Sequence, residues 1–557
     1  MKLLSLRDNA IFLSNSRERM RPAMVLSGVI LTLLIVSIII TNAYVNPKYI
    51  YTSSQYSPSH RRIVPPPQKI FWDIAVGQGI LLLLLGTMAA NRMAFRERSS
   101  GTLEFHRSSP TSRHDQIVGL LLGATSLEWF LFAITLIFSL YFGWRSGIPF
   151  LSFFKFYAAL LLCAIFYHVL AILWGIMNYQ PKKANQPRFG AWQFWLLVWL
   201  AMWGGGTAIN SQISFIYHLT WLPSYDAIYN QIFAFFARKY TWRTPEVMQI
   251  LNSLFCLRFP SLLLQILIQI SLIAFTWMGI SRKISHPERP TLSKTQSLML
   301  CFFILFMFVG SGLSTLASTS SAYHVRDPLG SIVSLLLVLC VILGAVGILT
   351  LTPSKELYSK GLHRAKKLKL KAMAIDDDYN SNFAWLLIFA VIVAISLFLF
   401  SYTLPTVPLI KKIMVLIILV SYIFFFGGAL EFFKLKKLAG QKRSLFWTGL
   451  SILWIFIPIL GTITVKLVDS PFYLPYFTVA SPIMGLQILV NALTGRYVSG
   501  AYICPVDTTN VSKWTNQLVN FELTLSLVVN LTLAIVLQLM AYRQRHRLQK
   551  EILQISD

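Results

Sequence analysis

The sequence is short of charged residues, and of acidic residues most of all. Only 13% of its 557 residues are Asp, Glu, Lys or Arg, and 21 Asp and Glu stand against 49 Lys and Arg. A soluble protein carries roughly a quarter charged residues. Hydrophobic residues make up 55%, and the mean hydropathy is +0.61. This composition excludes an ordinary soluble domain and indicates a protein embedded in a membrane.

Motifs for catalysis and ligand binding are also missing. The cysteines form no Cys-x-x-Cys pair and no zinc-ligand spacing. No Gly-x-x-x-x-Gly-Lys-Ser/Thr occurs, so the chain has no P-loop for ATP. No Ser-His-Asp or metal-ligand cluster stands out either. We therefore predict that this chain is not an enzyme and has no catalytic residue, metal site or cofactor of its own.

The five cysteines fall into two groups. Cys163, Cys301 and Cys340 lie in apolar runs, where a thiol packs like a small apolar side chain. Cys256 and Cys504 fall in two long loops that we predict on the outer side of the membrane. Whether they form a disulfide is left open.

Apolar runs of about 20 residues are abundant, and each is long enough to cross a bilayer as a helix. The runs are continuous rather than alternating, which excludes a transmembrane β-barrel. The sequence therefore predicts an all-α polytopic membrane protein with about twelve spans. We place them near residues 24–45, 70–90, 117–143, 153–177, 190–210, 260–280, 298–316, 332–351, 383–402, 413–432, 445–465 and 518–542.

The basic residues concentrate in alternate loops, and the loop 352–382 is the richest of them. Since cytoplasmic loops carry the excess of Lys and Arg, both termini are predicted in the cytoplasm, with the chain in the cell (inner) membrane. The same pattern accounts for the net charge of +28. There is no basic-aromatic RNA motif, so the predicted partner is the lipid bilayer and not a nucleic acid.

The loop lengths repeat along the chain. Each half ends with a long outer loop, 211–259 or 466–517, before its last span. Six spans per half keep the halves in one orientation, so the repeat is parallel, about an axis normal to the membrane. We divide the chain into an inner-face amphipathic segment (1–22), a first six-helix half (23–290) and a second six-helix half with a basic cytoplasmic tail (291–557).

The loop between the second and third spans, residues 91–116, has the most specific pattern. Gly101 can open a short helix, with Glu104 in its first turn near unpaired backbone donors. Pro110 cannot continue that helix. Ser112 and Asp115 have the spacing of a capping box before the next span. The pattern predicts a short charged helix, a break, and a capped helix.

This loop resembles the corresponding loop of type-2 ABC transporter permeases. The resemblance rests on Arg96-Glu97-Arg98, Gly101-Thr102-Leu103-Glu104, Ser109-Pro110-Thr111-Ser112, and a helix containing Gly119 and Gly123. Residues 8–13 and 17–21 look like that family's opening segment. The resemblance covers about residues 8–180 and is loose beyond them.

The resemblance implies the membrane-spanning permease subunit of an ABC exporter. ATP would be hydrolysed by a separate cytoplasmic ATPase subunit, in whose groove a coupling helix seats. Six spans make one subunit in that family, so this chain looks like two subunits fused. The substrate is unknown. The coupling loop would comprise Glu97, Arg98, Gly101, Thr102, Leu103, Glu104 and Pro110, with Leu103 as an apolar knob and with Arg98 and Glu104 as charged contacts.

The second half has no equivalent motif. Its corresponding loop contains Pro353-Ser354-Lys355-Glu356-Leu357, followed by a lysine-rich run, and lacks Gly-Thr-Leu-Glu. A second standard contact with the ATPase is therefore not implied.

Two ionisable residues lie well inside the third and fourth predicted spans. Glu128 is about 11 positions into the third span and His168 is at a similar depth in the fourth, so we predict that they are neighbours. Intramembrane ionisable groups are costly and are usually paired. The pair would be either a polar site on the substrate path or a bond between two helices.

Two other classes of protein remain open. A secondary transporter would need ion-coupling carboxylates near the midplane, and only Glu128 qualifies well. An integral membrane enzyme would need His, Asp or Glu clustered at one face, and the sequence shows no such cluster.

Overall fold

The computed structural model describes most of the chain. The described residues are 9–45, 49–54, 57–63, 66–108, 111–177, 214–220, 253–319, 336, 339–340, 343–344, 347–348, 350–368, 377–402, 409–436 and 508–553. They divide into two compact units, Met1–Arg289 and Pro290–Asp557.

The described residues of the first unit are helical apart from loops and two small antiparallel hairpins, β1–β2 and β3–β4. A π-helical segment, Ile80–Gly86, joins α3 to α4. The elements, in chain order, are α1 (Ala10–Arg19), α2 (Pro22–Val45), β1 (Tyr49–Ser54), β2 (Ser57–Ile63), α3 (Pro66–Gly79), α4 (Thr87–Ser99), α5 (Thr102–Ser108), α6 (Arg113–Ala124), α7 (Ser126–Arg145), α8 (Phe150–Met177), α9 (Ser214–Leu219), β3 (Ser253–Leu254), β4 (Leu257–Arg258) and α10 (Ser261–Ser285).

The second unit contains long apolar helices and one shorter polar helix. Its described elements are α11 (Lys294–Thr319), α12 (Lys355–Lys367), α13 (Phe383–Tyr402), α14 (Leu409–Lys436) and α15 (Thr508–Leu553).

Eight helices in the described part of the chain are long and apolar enough to cross a membrane. This confirms an all-α polytopic membrane protein. The two small hairpins were not predicted from the sequence. The predicted spans 190–210 and 445–465 lie outside the described residues, as does most of 332–351. The number twelve therefore stays a prediction.

The core of the first unit is centred on α8, which packs against α4. Gly175 permits their close approach, because a Cβ at this position would lie 2.6 Å from the carbonyl oxygen of Asn91. Ala90 and Ala94 of α4 are fully buried nearby. Small residues are what allow two membrane helices to approach this closely.

The second span is much longer than a bilayer requires. The continuous helical stretch Pro66–Ser99 has 34 residues, whereas about 20 residues cross the hydrocarbon core. Since a helix rises about 1.5 Å per residue, the stretch is roughly 51 Å long. The stretch is therefore longer than the apolar layer is thick, and α5 follows shortly after its C-terminal end.

The predicted third span, 117–143, is wrong because it is not one continuous helix. The structure breaks it at Thr125, between the 12-residue α6 and the 20-residue α7. The Thr125 hydroxyl donates to the carbonyl oxygen of Leu121 (2.8 Å), and Thr125 leaves helical geometry at φ −107°, ψ 13°. Both pieces are apolar, so hydropathy alone did not reveal the break.

In the second unit α14 and α15 run in parallel and pack closely. A Cβ at Gly428 would lie 3.0 Å from the backbone of Leu537 and Gln538. The amphipathic α12 packs against this pair through Tyr358, Leu362 and Ala365, which contact Leu435 and Leu548. Helix α15 has 46 residues and continues through the basic stretch from Arg543 to Lys550.

Candidate functional site

The turn between α4 and α5 is built on Gly101. Its φ is +79°, in the left-handed region that favours glycine. Its carbonyl oxygen accepts from the backbone N–H groups of Glu104 (3.0 Å) and Phe105 (3.2 Å) and so opens α5. A side chain at Gly101 would meet nothing within 4 Å. Backbone conformation, and not lack of space, therefore demands glycine here.

The seven-residue helix α5 presents an acidic and an aromatic side chain to its surroundings. Glu104 is exposed in its first turn, and Phe105 is 69% exposed. Leu103, predicted to be the apolar knob, instead packs partly buried against the core of the first unit. Phe105 was missed because its position in the short helix, and not its residue type, leaves it exposed.

Glu97 and Arg98 face the rest of the first unit and stabilise the turn between α4 and α5. Glu97 is only 7% exposed. Arg98 is half-buried and donates from Nη1 to the carbonyl oxygen of Ile176 (2.6 Å), in the last turn of α8. A cation is favourable at a helix C-terminus. Thr102 accompanies them at the turn, its hydroxyl 2.6 Å from that of Ser100. Pro110 lies outside the described residues.

The far side of the loop is also fixed. The predicted capping box is present: the Ser112 hydroxyl oxygen accepts from the backbone N–H of Asp115 (3.1 Å) and donates to its carboxylate (2.6 Å). His114 stacks on Trp277 of α10 with ring centroids 6.0 Å apart. The Trp277 indole N–H donates to Nδ1 of His114 (2.9 Å). The described parts of the loop are therefore anchored at both ends.

Helix α1 lies parallel to α6 and in close contact with it. The Asn9 amide donates to the carbonyl oxygen of Asp115 (2.6 Å), while its side-chain oxygen caps α1. A Cβ at Gly119 would lie 2.5 Å from that side-chain oxygen, and one at Gly123 would lie 2.9 Å from Cβ of Asn15. These two glycines were part of the loop pattern in the sequence, and they form the surface of α6 against which α1 packs.

Two ion pairs join the C-terminal end of α1 to the rest of the unit. Arg19 pairs with Glu128 in the first turn of α7, and Glu18 pairs with Arg96 of α4. The hydrogen bond from Arg96 lowers the pKa of Glu18 below its ordinary value. The first pair is largely buried, whereas the second is exposed. Helix α1 therefore contacts α4, α6 and α7.

Glu128 and His168, predicted to be neighbours, have different hydrogen-bond partners in the structure. Nε2 of His168 lies 2.8 Å from the carbonyl oxygen of Leu82, in the π-helical segment. A π-helical stretch disturbs the regular helical hydrogen-bond pattern and so makes such a carbonyl accessible. The break at Thr125 places Glu128 in the first turn of α7, next to Arg19. Each residue therefore joins a different pair of elements. Glu128 joins α7 to α1, and His168 joins α8 to the π-helical segment.

The corresponding loop of the second unit forms a different helix. Ser354 caps α12, its hydroxyl oxygen accepting from the backbone N–H of Leu357 (3.3 Å), and Glu356 is exposed in the first turn. Burial raises the pKa of Tyr358 to about 12. The exposed face is mostly cationic, with Lys360, Arg364, Lys366 and Lys367.

No protein-family model, curated protein or solved structure significantly matches the chain. Within the described ranges there is no group of three or more His, Cys, Asp and Glu residues that could hold a metal ion.

Proposed function

We propose that this chain is the membrane-spanning permease of an ABC transporter, working as an exporter with a separate cytoplasmic ATPase subunit that docks on the loop 91–116. The observation that carries the proposal is α5. It is a short helix with Glu104 and Phe105 exposed, and the Gly101 turn holds it at the end of a helix too long for the bilayer. Aromatic side chains such as Phe are enriched at protein–protein interfaces, so an exposed Phe105 favours a docking surface.

The contacts around α5 suggest how its movement would be passed on. A push on α5 acts directly on α4, which packs closely against α8. The Glu18–Arg96 pair connects α4 to α1, and the Arg19–Glu128 pair connects α1 to α7. ATP binding in the partner would move α5, and these contacts would make several spans follow it. ATP itself would be held by the partner subunit.

The proposal includes twelve spans in two parallel six-helix halves, with both termini in the cytoplasm. The positive-inside pattern supports this orientation. The two compact units divide between Arg289 and Pro290, which is compatible with a fusion of two permease subunits. In the second half α12 takes the place of α5. Because its exposed face is mostly cationic, we expect it to contribute less to docking.

A secondary transporter is less well supported. Its coupling carboxylate would have to bind and release an ion, whereas Glu128 is largely buried and paired with Arg19. That arrangement is typical of a structural ion pair between helices.

The test is co-expression with the cytoplasmic ABC ATPase subunits of the source organism, followed by co-purification and measurement of ATP hydrolysis. Glu104→Lys reverses the charge on α5, and Phe105→Ala removes its exposed ring. Each should weaken ATPase binding; for Phe105 the expected loss is about 2 kcal/mol, or roughly 30-fold. Membrane insertion should not change.

The matched controls are Glu356→Lys on α12 and Phe154→Ala, since Phe154 is a 58% exposed residue of α8. Both should bind the ATPase nearly as well as the native chain. If Glu104→Lys has no effect while Glu356→Lys abolishes binding, the second half carries the docking surface and the proposal fails in its central point.

A further inference from the structure

The second unit contains a cavity of about 830 Å³ between α12, α13, α14 and α15. Pockets for small organic ligands commonly have volumes of this order. Most of its wall is apolar and comes from the membrane-spanning helices, with Phe383, Ile417, Phe424, Leu531 and Leu539 among the residues that line it. Leu539 is also 53% exposed on the outer surface of α15. The cavity therefore lies beside the lipid.

One end of the cavity is polar. There the lining consists of Tyr358, Asn380, Ser381, Arg545 and Gln549. Arg545 is the sole charged residue among the described lining residues. Its side chain is 13% exposed and lies 3.6 Å from the buried carboxylate of Glu431, which is not part of the lining. Arg545 therefore brings a guanidinium group to the edge of the cavity, and Glu431 behind it partly offsets its charge.

The Arg545 guanidinium has a donor to spare. Its Nε is buried and has no hydrogen-bond partner among the described residues. An unsatisfied buried donor is unfavourable unless a ligand or water accepts from it. A guanidinium is well suited to a phosphate, because its N–H groups match the phosphate oxygens in geometry and charge.

The cavity is long enough to hold an acyl chain of one leaflet of the membrane. Its lining residues on α15 extend from Leu531 to Gln549, and Arg545 lies 14 residues along the helix from Leu531. At about 1.5 Å per residue Leu531 and Arg545 are roughly 21 Å apart along the helix, whereas one hydrocarbon leaflet is about 15 Å thick. An acyl chain can thus lie along the apolar part while its head group reaches Arg545.

We propose that this cavity binds one anionic phospholipid from the leaflet on the Arg545 side, with an acyl chain among α13, α14 and α15 and the phosphate on Arg545. The described lining offers no carboxylate to receive the ammonium group of a zwitterionic lipid. An exposed cation on the same helix, Arg543, favours a negative head group further. Under the topology proposed above, this is the cytoplasmic leaflet.

Native mass spectrometry of the purified, delipidated full chain tests the proposal. The protein is titrated with dioleoyl phosphatidylglycerol and, separately, with dioleoyl phosphatidylcholine. Phosphatidylglycerol should bind about tenfold more tightly, the size of effect expected from one charge-assisted contact. Equal binding of the two lipids would overturn the preference for an anionic head group.

Two variants locate the lipid. The double variant Glu431→Gln/Arg545→Gln removes the cation without leaving Glu431 buried alone, and it should lower binding of phosphatidylglycerol about tenfold. Its matched control is Arg547→Gln/Glu551→Gln, which removes an exposed pair from the same helix and should have little effect. Equal losses in both would mean a diffuse surface attraction and would overturn the proposed site.

A second pair of variants tests the acyl part and does not depend on the ion pair. Leu539→Trp fills the cavity from its lipid-facing side, while Val536→Trp adds the same bulk at a residue of α15 that is 46% exposed and not part of the lining. The first should reduce bound lipid severalfold and the second should not. If Leu539→Trp binds normally, or if glycerol phosphate displaces the lipid completely, the acyl chain does not occupy the cavity.

Discussion

At the scale of single residues, glycines set the distances between helices in the first unit. Helix α1 packs closely against Gly119 and Gly123, and α4 packs closely against Gly175. In each place a Cβ would approach another atom to within 3.0 Å. Gly77 differs, because its α3 position is open to the surroundings and a Cβ there would meet nothing within 4 Å. The glycines therefore make unequal contributions to packing.

We expect Gly175→Ala to lower the free energy of unfolding by about 1–3 kcal/mol, the usual cost of overpacking a close contact. The methyl group would press on the Asn91 carbonyl, which belongs to the backbone and cannot rotate away. Gly77→Ala is the control and should be neutral or stabilising by about 0.4–1 kcal/mol. Unfolding in mixed detergent micelles measures both; equal effects would contradict the proposed packing role.

The two ion pairs of α1 should differ in strength. Removing the cation with Arg19→Gln leaves the largely buried Glu128 carboxylate without its partner and should cost about 3 kcal/mol. Glu18→Gln breaks the exposed pair with Arg96 and should cost less than about 1 kcal/mol. Double-mutant cycles with Glu128→Gln and Arg96→Gln isolate each pair. A larger coupling energy for the exposed pair would refute this ranking.

At the scale of elements, the turn after α4 determines where α5 points. Gly101 and Gly147 both have positive φ, +79° and +71°, and a Cβ added at either position would meet no atom within 4 Å. Gly147 lies at the other end of the first unit's spans, between α7 and α8. Both positions thus require a left-handed backbone conformation, but only Gly101 lies next to α5.

Gly101→Val should abolish stimulation of the ATPase, because a β-branched residue disfavours the left-handed turn and would redirect α5. Gly147→Val should cost a similar amount of stability, roughly 1–3 kcal/mol, while leaving coupling intact. Co-purification and stimulated ATP hydrolysis distinguish the two. Loss of coupling in both variants would show that general strain, and not the direction of α5, is responsible.

At the scale of the whole molecule, the distribution of Lys and Arg predicts its orientation in the membrane. Ser100 is exposed at the end of α4, and Cys256 is exposed between β3 and β4. The positive-inside rule predicts that these two positions lie on opposite sides of the membrane. The remaining described cysteines, Cys163, Cys301 and Cys340, are buried.

A membrane-impermeant maleimide added to intact cells should therefore label Cys256 but not a cysteine placed at Ser100. The second measurement uses Ser100→Cys in a chain that also carries Cys256→Ser and Cys504→Ser. Labelling of that chain should require permeabilised cells. If it is labelled from outside, the loop 91–116 is not cytoplasmic and cannot meet a cytoplasmic ATPase.

The amino-acid sequence by itself determined the class of the protein and several local features. Long apolar runs leave a helix as the way to satisfy the backbone in lipid, so the described spans follow from composition. The Gly101 turn, the short helix after it and the Ser112–Asp115 capping box were also predictable, since each depends on neighbours within a few residues.

The tertiary structure alone decided the partners of residues far apart in the chain. Glu128 pairs with Arg19, and His168 bonds to Leu82, across separations of 109 and 86 residues. No local pattern encodes which of several polar groups will meet in lipid. The break at Thr125 and the exposure of Phe105 in place of Leu103 have the same origin, because packing against other helices, and not hydropathy, determines where a helix ends and which face it buries.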